Sequence, residues 1–451
     1  MKLARVAVIH KGGSTNDMNN YRPISVLPIF AKVAENIIHK RLVSFLSVNN
    51  IIASEQFGFR KNKSSEMALL EVKEHILENI ERKIFTLGIF LDFRKAFDCV
   101  QHDVLLRKLP LYGFRGNAWS LIKSYLTSRA QFTCINGAKS DSRLVKQGVP
   151  QGSLLGPTLF LLYINDIVNI INNTKLILYA DDTNVFFSGA DVVDVFHQAN
   201  EWLTGLNLWL LSNRLQLNTS KTKYILFRPR GTHSPTNLHL KFHNVTIEQS
   251  TTVRFLGVIF QENLSWTPHV DVLRRDLGRA VGILNKIRYH VPSAVKKQIY
   301  YALLHSRFCY CFLVWATTTK TNLDCLFSLQ KRAVRAIGNL DLSEDTAPHF
   351  KSNKIMPIHK LHKHKLALEI SRLHQTDITF QTKYHAQPGP YYLRQNLIPR
   401  PRSRTTYGDQ KLSYLIPDFL NAHPELAEIL FTATKVQRLR RTLRDIFLNE
   451  N

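Results

Sequence analysis

Apolar residues fall along this chain at two periods, and the change from one to the other divides it into strands and helices. Short apolar or alternating runs at residues 3–10, 84–90, 176–179 and 183–187 predict strands, as does the run 253–260, which has a glycine at its centre. Residues 131–145 alternate around Asn136-Gly137, a strong hairpin signal. Spacings of three and four predict helices over 29–48, 66–82, 158–171, 192–213 and 434–448. A helical pattern over 104–129 is interrupted by Gly113 and Gly116, and residues 263–340 read as helical and basic.

The stretches between these blocks carry more than connection requires. Lys11-Gly12-Gly13-Ser14 is a basic, flexible turn that suits either a phosphate or an ordinary hairpin tip. Two prolines force residues 20–28 into an extended path and hold Arg22 on stiff backbone. Residues 54–65 form a basic, glycine-containing loop in which Arg60 and Lys63 suit phosphates, while Phe57 and Phe59 suit either bases or a core. Residues 147–157 hold three glycines, two prolines and two glutamines ahead of an apolar helix, so their backbone can approach a ligand closely. Residues 215–227 are a turn–strand unit carrying Lys221, 228–250 a polar hairpin region, and 388–404 a Pro- and Arg-rich linker.

Three acids stand where strands end. Asp181-Asp182 lies between the runs 176–179 and 183–187, a hairpin with carboxylates at its turn, and Asp92 closes the run 84–90. Adjacent strand side chains point to opposite faces, which suits a paired Asp to a tip reaching a cation and not to a core. Acids in such places also serve as plain turn residues or helix caps.

Composition narrows the partner. Lys and Arg number 60 against 34 acids, a net charge of +26 across 451 residues, and such an excess repels itself unless an anionic polymer lies against it. With 44% hydrophobic residues the chain has material for several packed subdomains. Five scattered cysteines argue against a disulfide framework and for a reducing compartment, and their spacing predicts no structural zinc. No apolar run is long enough to span a bilayer and none opens the chain as a signal peptide, so an intracellular protein of nucleus and cytoplasm is expected.

Five blocks in order then carry a resemblance: Tyr21-Arg22-Pro23-Ile24-Ser25, the run Leu91-Asp92-Phe93-Arg94-Lys95-Ala96-Phe97-Asp98, Gln147-Gly148-Val149-Pro150-Gln151-Gly152-Ser153, Tyr179-Ala180-Asp181-Asp182, and Phe255-Leu256-Gly257. Together they resemble the reverse transcriptase of non-LTR (LINE-type) retrotransposons, most of all its jockey-like branch, over about residues 3–260. The resemblance implies an α+β, right-hand polymerase: fingers at 1–85, an antiparallel-sheet palm at 86–262 with a fingers-like helical and hairpin insertion at about 104–145, a helical thumb at 263–340, and a mostly helical C-terminal extension at 341–451. It implies that Asp92, Asp181 and Asp182 hold two Mg²⁺ ions, with Mn²⁺ as a substitute. Lys221 would protonate the leaving pyrophosphate. Lys11, Arg22, Phe97, Gln151 and Gly152 would bind the nucleotide, Phe97 as the ring that excludes a 2′-hydroxyl. Phe255, Leu256 and Gly257 would grip the primer.

The basic positions Arg60, Lys63, Arg274, Arg275, Lys296 and Lys297 are expected to contact nucleic acid. The implied partners are an RNA template, a DNA primer or target, and dNTPs, with no membrane. The first block lies almost at Met1, so an N-terminally truncated element is expected. Two other functions compete: a silent fragment that only binds RNA, and an RNA-templated RNA polymerase, which the bulky Phe97 does not suit. Residues 359–365, with three histidines and three lysines, are expected to form one basic helix face rather than a metal site.

Overall fold

The computed structural model describes residues 2–135, 137–170, 174–228, 231, 238–384, 398–433 and 435–450. Asn136 of the expected turn, the helix end at Ile171, parts of 228–250 and of the linker 388–404, and Thr434 lie outside the described residues.

In chain order the principal elements begin with β1 (Leu3–His10), β2 (Tyr21–Val26), α1 (Ile29–Val48), α2 (Ser65–Glu81), β3 (Phe85–Leu91), α3 (His102–Lys108), α4 (Gly116–Leu126) and β4 (Ala130–Ile135). There follow α5 (Leu155–Ile164), β5 (Lys175–Tyr179), β6 (Asp182–Gly189), α6 (Val192–Ser212), β7 (Lys223–Phe227), β8 (Glu248–Gln249), β9 (Thr252–Phe255) and β10 (Val258–Gln261). The remainder is helical: α7 (Thr267–Lys286), α8 (Ser293–Tyr300), α9 (Lys320–Gly338), α10 (Ile358–Thr376), α11 (Leu412–Ala422) and α12 (Val436–Asn449). The fold is α+β. The chain divides into two compact units, Met1–Ala68 with Phe85–Leu226 and His233–Ser250, and Leu69–Ile84 with Phe227–Thr232 and Thr251–Asn451.

The first unit is built on a five-stranded sheet in the order β8-β7-β3-β6-β5. β3 runs antiparallel to β6, and β6 antiparallel to β5. β3 is buried from Thr86 to Leu91, which is why its sequence is a continuous apolar run and not an alternation. α6 lies against β3 and β6 with Val195, Phe196, Ala199, Trp202, Leu203, Leu206 and Leu210 turned inward, and Asp191 caps it by accepting from the Val193 amide at 2.8 Å. α5 is buried all round, a consequence of its nearly uniform apolar sequence. It ends at Ile164 and passes into a 3₁₀ turn, Asn165–Asn169, short of the single helix expected. A second sheet sets β1 antiparallel to β2 and parallel to β4.

The second unit departs from expectation in three places. The run 253–260 is not one strand but the hairpin β9–β10, turned at Leu256 and Gly257, whose φ angles are 43° and 82°. Two successive left-handed residues make the tight turn that a right-twisted hairpin requires. Lys296, expected on an exposed basic face, is buried, and its ammonium donates to the carbonyls of Arg288 and Ala336 at 2.9 Å each and to Asn339 Oδ1 at 2.7 Å. In α10, His359 and Lys363 are exposed but His364 is buried and Lys360 and His362 are half-buried, so residues 359–365 are not one face. Burial, with the charge of Lys73 behind it, pushes the His362 imidazole down to about 4.

α2 contributes most of its length to this unit. Leu69, Val72, Ile76, Leu77 and Ile80 are buried, and so is Lys73, whose Nζ donates to the Leu313 carbonyl at 3.3 Å. Along the helix, three glutamates fasten a segment of the C-terminal extension. Glu74 accepts from the Leu412 amide at 3.0 Å, Glu78 pairs with Lys411, and Glu81 takes the Thr405 hydroxyl at 2.6 Å and the Arg404 amide. Among the described residues no helix is long and apolar enough to cross a membrane.

Candidate active site

The antiparallel register of β3 and β6 pairs Phe90 with Asn184 and Leu91 with Thr183. The next residues along the two strands are Asp92 and Asp182, near enough for the charge of one to act on the other. Asp182 pairs in turn with Tyr179 across the β5–β6 turn, so Asp181 sits at its tip beside Ala180, which is left-handed at φ 57°. Acids ninety positions apart in sequence thus come within electrostatic reach of one another because one strand ends near where one hairpin turns.

Their charges register the meeting. Burial first, then the neighbouring carboxylates of Asp181 and Asp92, push the Asp182 carboxyl up to about 6. Asp181 is pushed up by burial and by Asp92, and drawn back by its own backbone amide and by Arg22. Both side chains still reach solvent, so water weakens the burial effect and the mutual repulsion alike. Among the described residues no three His, Cys, Asp or Glu side chains converge as a ready cage for an ion, and these acids are no exception. The donor set nonetheless fits a hard divalent cation: carboxylate oxygens, electrostatically coupled, with more negative charge than the nearby Arg22 offsets.

The 54–65 loop, expected to meet nucleic acid, supports the tip through a residue given no role in the sequence analysis. Gln56 is 2% exposed, and its Oε1 accepts from the Gly58 amide at 2.8 Å and the Ala180 amide at 3.0 Å. The flanking backbone bonds Phe57 N–H to the Leu178 carbonyl at 2.7 Å and Leu178 N–H to the Glu55 carbonyl at 2.9 Å. Gly58 lies so close that a Cβ there would stand 2.3 Å from the Ala180 nitrogen. Gln56→Met should lower stability by about 3 kcal/mol, since it strands two amides away from water. A urea unfolding midpoint measures this, and an unchanged midpoint would remove Gln56 from the account of the tip.

The remaining expected residues divide. Phe97 is half-buried and stacked on Phe160 at 4.2 Å, with the Phe59 ring edge-on at 6.4 Å. Gln151 donates through Nε2 to Asp98 Oδ1 at 2.8 Å, and its carbonyl accepts from Ser25 N–H at 2.6 Å. Gly152, at φ 110°, has no room for a Cβ, which would lie 2.7 Å from the Ser25 oxygen. The 147–157 loop and β2 therefore touch backbone to backbone, as the small residues there anticipate. Lys11 is exposed, and its charge acts on Asp98. Lys221 is exposed on a turn closed by its own amide to the Asn218 carbonyl at 3.1 Å.

Arg60 is partly tied down, donating to the carbonyls of Ala53 at 2.7 Å and Gln56 at 3.3 Å, and Lys63 lies over the Phe57 ring at 4.3 Å. Both therefore hold their own loop together. In the second unit, Phe255 is buried, the Leu256 carbonyl accepts from Tyr310 Oη at 2.7 Å, and the Tyr310 ring covers Gly257. Arg274 and Arg275 are exposed on α7, and Lys297 is half-buried within reach of the charges of Arg444 and Lys354. Nothing in the sequence singles out Gln56 or Asn218. The only signal for the latter is the polar run 218–222 set directly after alternating leucines.

The family model described as reverse transcriptase (RNA-dependent DNA polymerase) matches residues 9–260, more than half of the chain. The chain belongs to the reverse transcriptase family. It is 28% identical over 347 residues to the RNA-directed DNA polymerase from mobile element jockey of Drosophila melanogaster, covering 74% of this chain and 37% of that protein. To the protein of the same name in Drosophila funebris it is 28% identical over 342 residues, with the same two coverages of 74% and 37%. The chain thus spans under two-fifths of the length of these curated relatives. Among solved structures, telomerase from Candida tropicalis, in complex with a fragment of telomeric RNA, matches at 11% identity and a TM-score of 0.45, covering 98% of this chain and 64% of that one.

Proposed function

We propose that this chain is the RNA-directed DNA polymerase portion of a non-LTR retrotransposon, extending a primer 3′-hydroxyl with dNTPs on an RNA template. The observation that carries the reading is the pairing of β3 with β6, which ends one residue before Asp92 and brings its charge to bear on Asp181 and Asp182, in a chain of the reverse transcriptase family. In the reaction a bond forms between the primer 3′ oxygen and the α-phosphorus, the α–β bridging bond breaks, and pyrophosphate leaves. Asp92, Asp181 and Asp182 would hold the divalent ions that this family generally uses, Mg²⁺ being the natural choice, and such ions would supply Lewis-acid activation of the primer hydroxyl and charge to offset the departing phosphates.

The chain's own groups do the rest. Arg22, close enough to act on Asp181, is placed to draw in the triphosphate, with Lys11 nearer Asp98. Gln151, anchored by Asp98 and by the backbone of β2, forms a fixed wall of the nucleotide site. Phe97, braced by Phe160, presents a ring that gives a 2′-hydroxyl neither space nor a hydrogen-bond partner. Lys221 is free to meet the leaving group. Within this reading β1, β2 and α1 belong to the fingers, the five-stranded sheet is the palm, and α7 with Arg274 and Arg275 belongs to a thumb that neutralises phosphates without reading bases.

Purified protein supplied with primer, RNA template, Mg²⁺ and dNTPs tests the proposal. Extension supports it, extension with rNTPs alone points to an RNA polymerase, and binding without extension points to a silent RNA-binding fragment. Phe97→Val should raise the kcat/KM of rNTPs relative to dNTPs by roughly 10-fold or more. Single-nucleotide incorporation rates with each sugar measure this, and an unchanged ratio takes the sugar discrimination away from Phe97.

A further inference from the structure

The loop that follows α6 grips the end of β3 at three points. Leu217 bridges antiparallel to Phe93, the Arg94 amide donates to the Gln216 carbonyl at 2.9 Å, and the Asn218 amide donates to the Asp92 carbonyl at 2.8 Å. The Asp92 amide is in turn bonded to Thr222 Oγ1 at 3.3 Å, and Thr222 is fully buried. Both backbone groups of Asp92 are thereby committed to this one loop. Its side chain is held as well: Asn218 Nδ2 donates to Asp92 Oδ2 at 2.9 Å.

The orientation of the Asn218 amide is itself determined. Ser220 Oγ donates to Asn218 Oδ1 at 2.8 Å, and a hydroxyl proton on the oxygen leaves the nitrogen for the carboxylate. The Asn218 carbonyl also closes the turn by accepting from the amides of Lys221 at 3.1 Å and Thr222 at 2.9 Å. A neutral amide is the apt partner for a cation-binding carboxylate. It fixes the carboxylate plane without cancelling the charge, as a lysine or arginine in its place would.

We propose that Asn218, steadied by Ser220, is a positioning residue that fixes the Asp92 carboxylate in the orientation that binds a divalent cation with Asp181 and Asp182. This rests on the reading of the three acids given above. It adds that part of the cation affinity resides in a loop more than a hundred positions from Asp92 in sequence, through contacts not made to the ion.

The test is a Mn²⁺ titration of the full chain without nucleic acid or nucleotide, followed by the resonance of free Mn²⁺, beside urea unfolding of each variant. Asn218→Ala should raise the Mn²⁺ dissociation constant about 10- to 100-fold. Ser220→Ala, on an exposed side chain, should raise it a few-fold, roughly 2- to 5-fold. The extension kcat should fall in the same order, with dNTP KM nearly constant. Unchanged Mn²⁺ affinity in a folded Asn218→Ala overturns the proposal. If that variant does not fold, unchanged affinity in Ser220→Ala overturns it. Asp92→Asn separates this from the underlying reading. If Asp92→Asn binds Mn²⁺ normally, the three-acid site itself fails, whereas if it loses Mn²⁺ and Asn218→Ala does not, only the role of Asn218 falls.

Discussion

Asp181→Asn is expected to reduce primer extension by at least about 1,000-fold while leaving RNA affinity unchanged, because an amide supplies neither the charge nor the second anionic oxygen that a divalent ion requires. The same substitution should raise the thermal midpoint of the metal-free protein. Asp181 is one of the charges that, after burial, push Asp182 upward, so removing it relieves a repulsion that the fold carries. Gain of stability with loss of turnover is the signature of a site arranged for chemistry at the expense of the resting state. Extension assays, RNA-binding anisotropy and thermal melts in EDTA measure the three quantities. An Asp181→Asn protein that extends normally would dismantle the active-site assignment, and one that melts lower would place Asp181 among structural residues.

Lys73→Met is expected to stabilise the protein by about 2 kcal/mol at pH 7. Burial pushes the Lys73 ammonium down to about 8 from its ordinary 10.5, against a smaller upward pull from Glu74. A shift of that size corresponds to about 3 kcal/mol, and losing the bond to the Leu313 carbonyl takes back about 1 kcal/mol. The direction with pH follows from the same shift. Between about 8 and 10.5 the unfolded chain holds the Lys73 proton and the folded one does not, so wild-type stability rises through that window and its full penalty is present below it. The variant lacks this rise. Urea unfolding at pH 7 and pH 10 should therefore show a gap between the two proteins at the lower pH that narrows at the higher, and a gap of constant size would contradict the burial of the charge.

How much of this was legible beforehand depends on the range of the forces involved. The Asp92 strand, the Asp181-Asp182 hairpin and α6 were legible because side-chain period and capping are local, and the three acids follow from two strand ends. The β9–β10 hairpin was misread because its turn carries Leu256, a residue that rarely takes φ 43°, so the apolar run looked unbroken. Lys296 was misread because a lysine by default faces solvent, and the acceptors at Ala336 and Asn339 that permit its burial belong to another helix and to the residue that caps it. Gln56 and Asn218 stayed invisible for a related reason. Each is a small polar residue in a loop, and the partners that give it a task, Ala180 and Asp92, are brought near only by the finished sheet.

The glutamates of α2 have a consequence for how this protein is made. Glu74 and Glu78 wait for Leu412 and Lys411, which leave the ribosome more than three hundred residues later. At cellular elongation rates that interval is roughly 20–70 s. For most of it the interior ammonium of Lys73 also lacks the Leu313 carbonyl that receives it in the folded chain. A nascent chain in that condition is a natural client for chaperones, and a message broken before the codon for Arg404 would yield a product in which Glu74, Glu78 and Glu81 never find their mates.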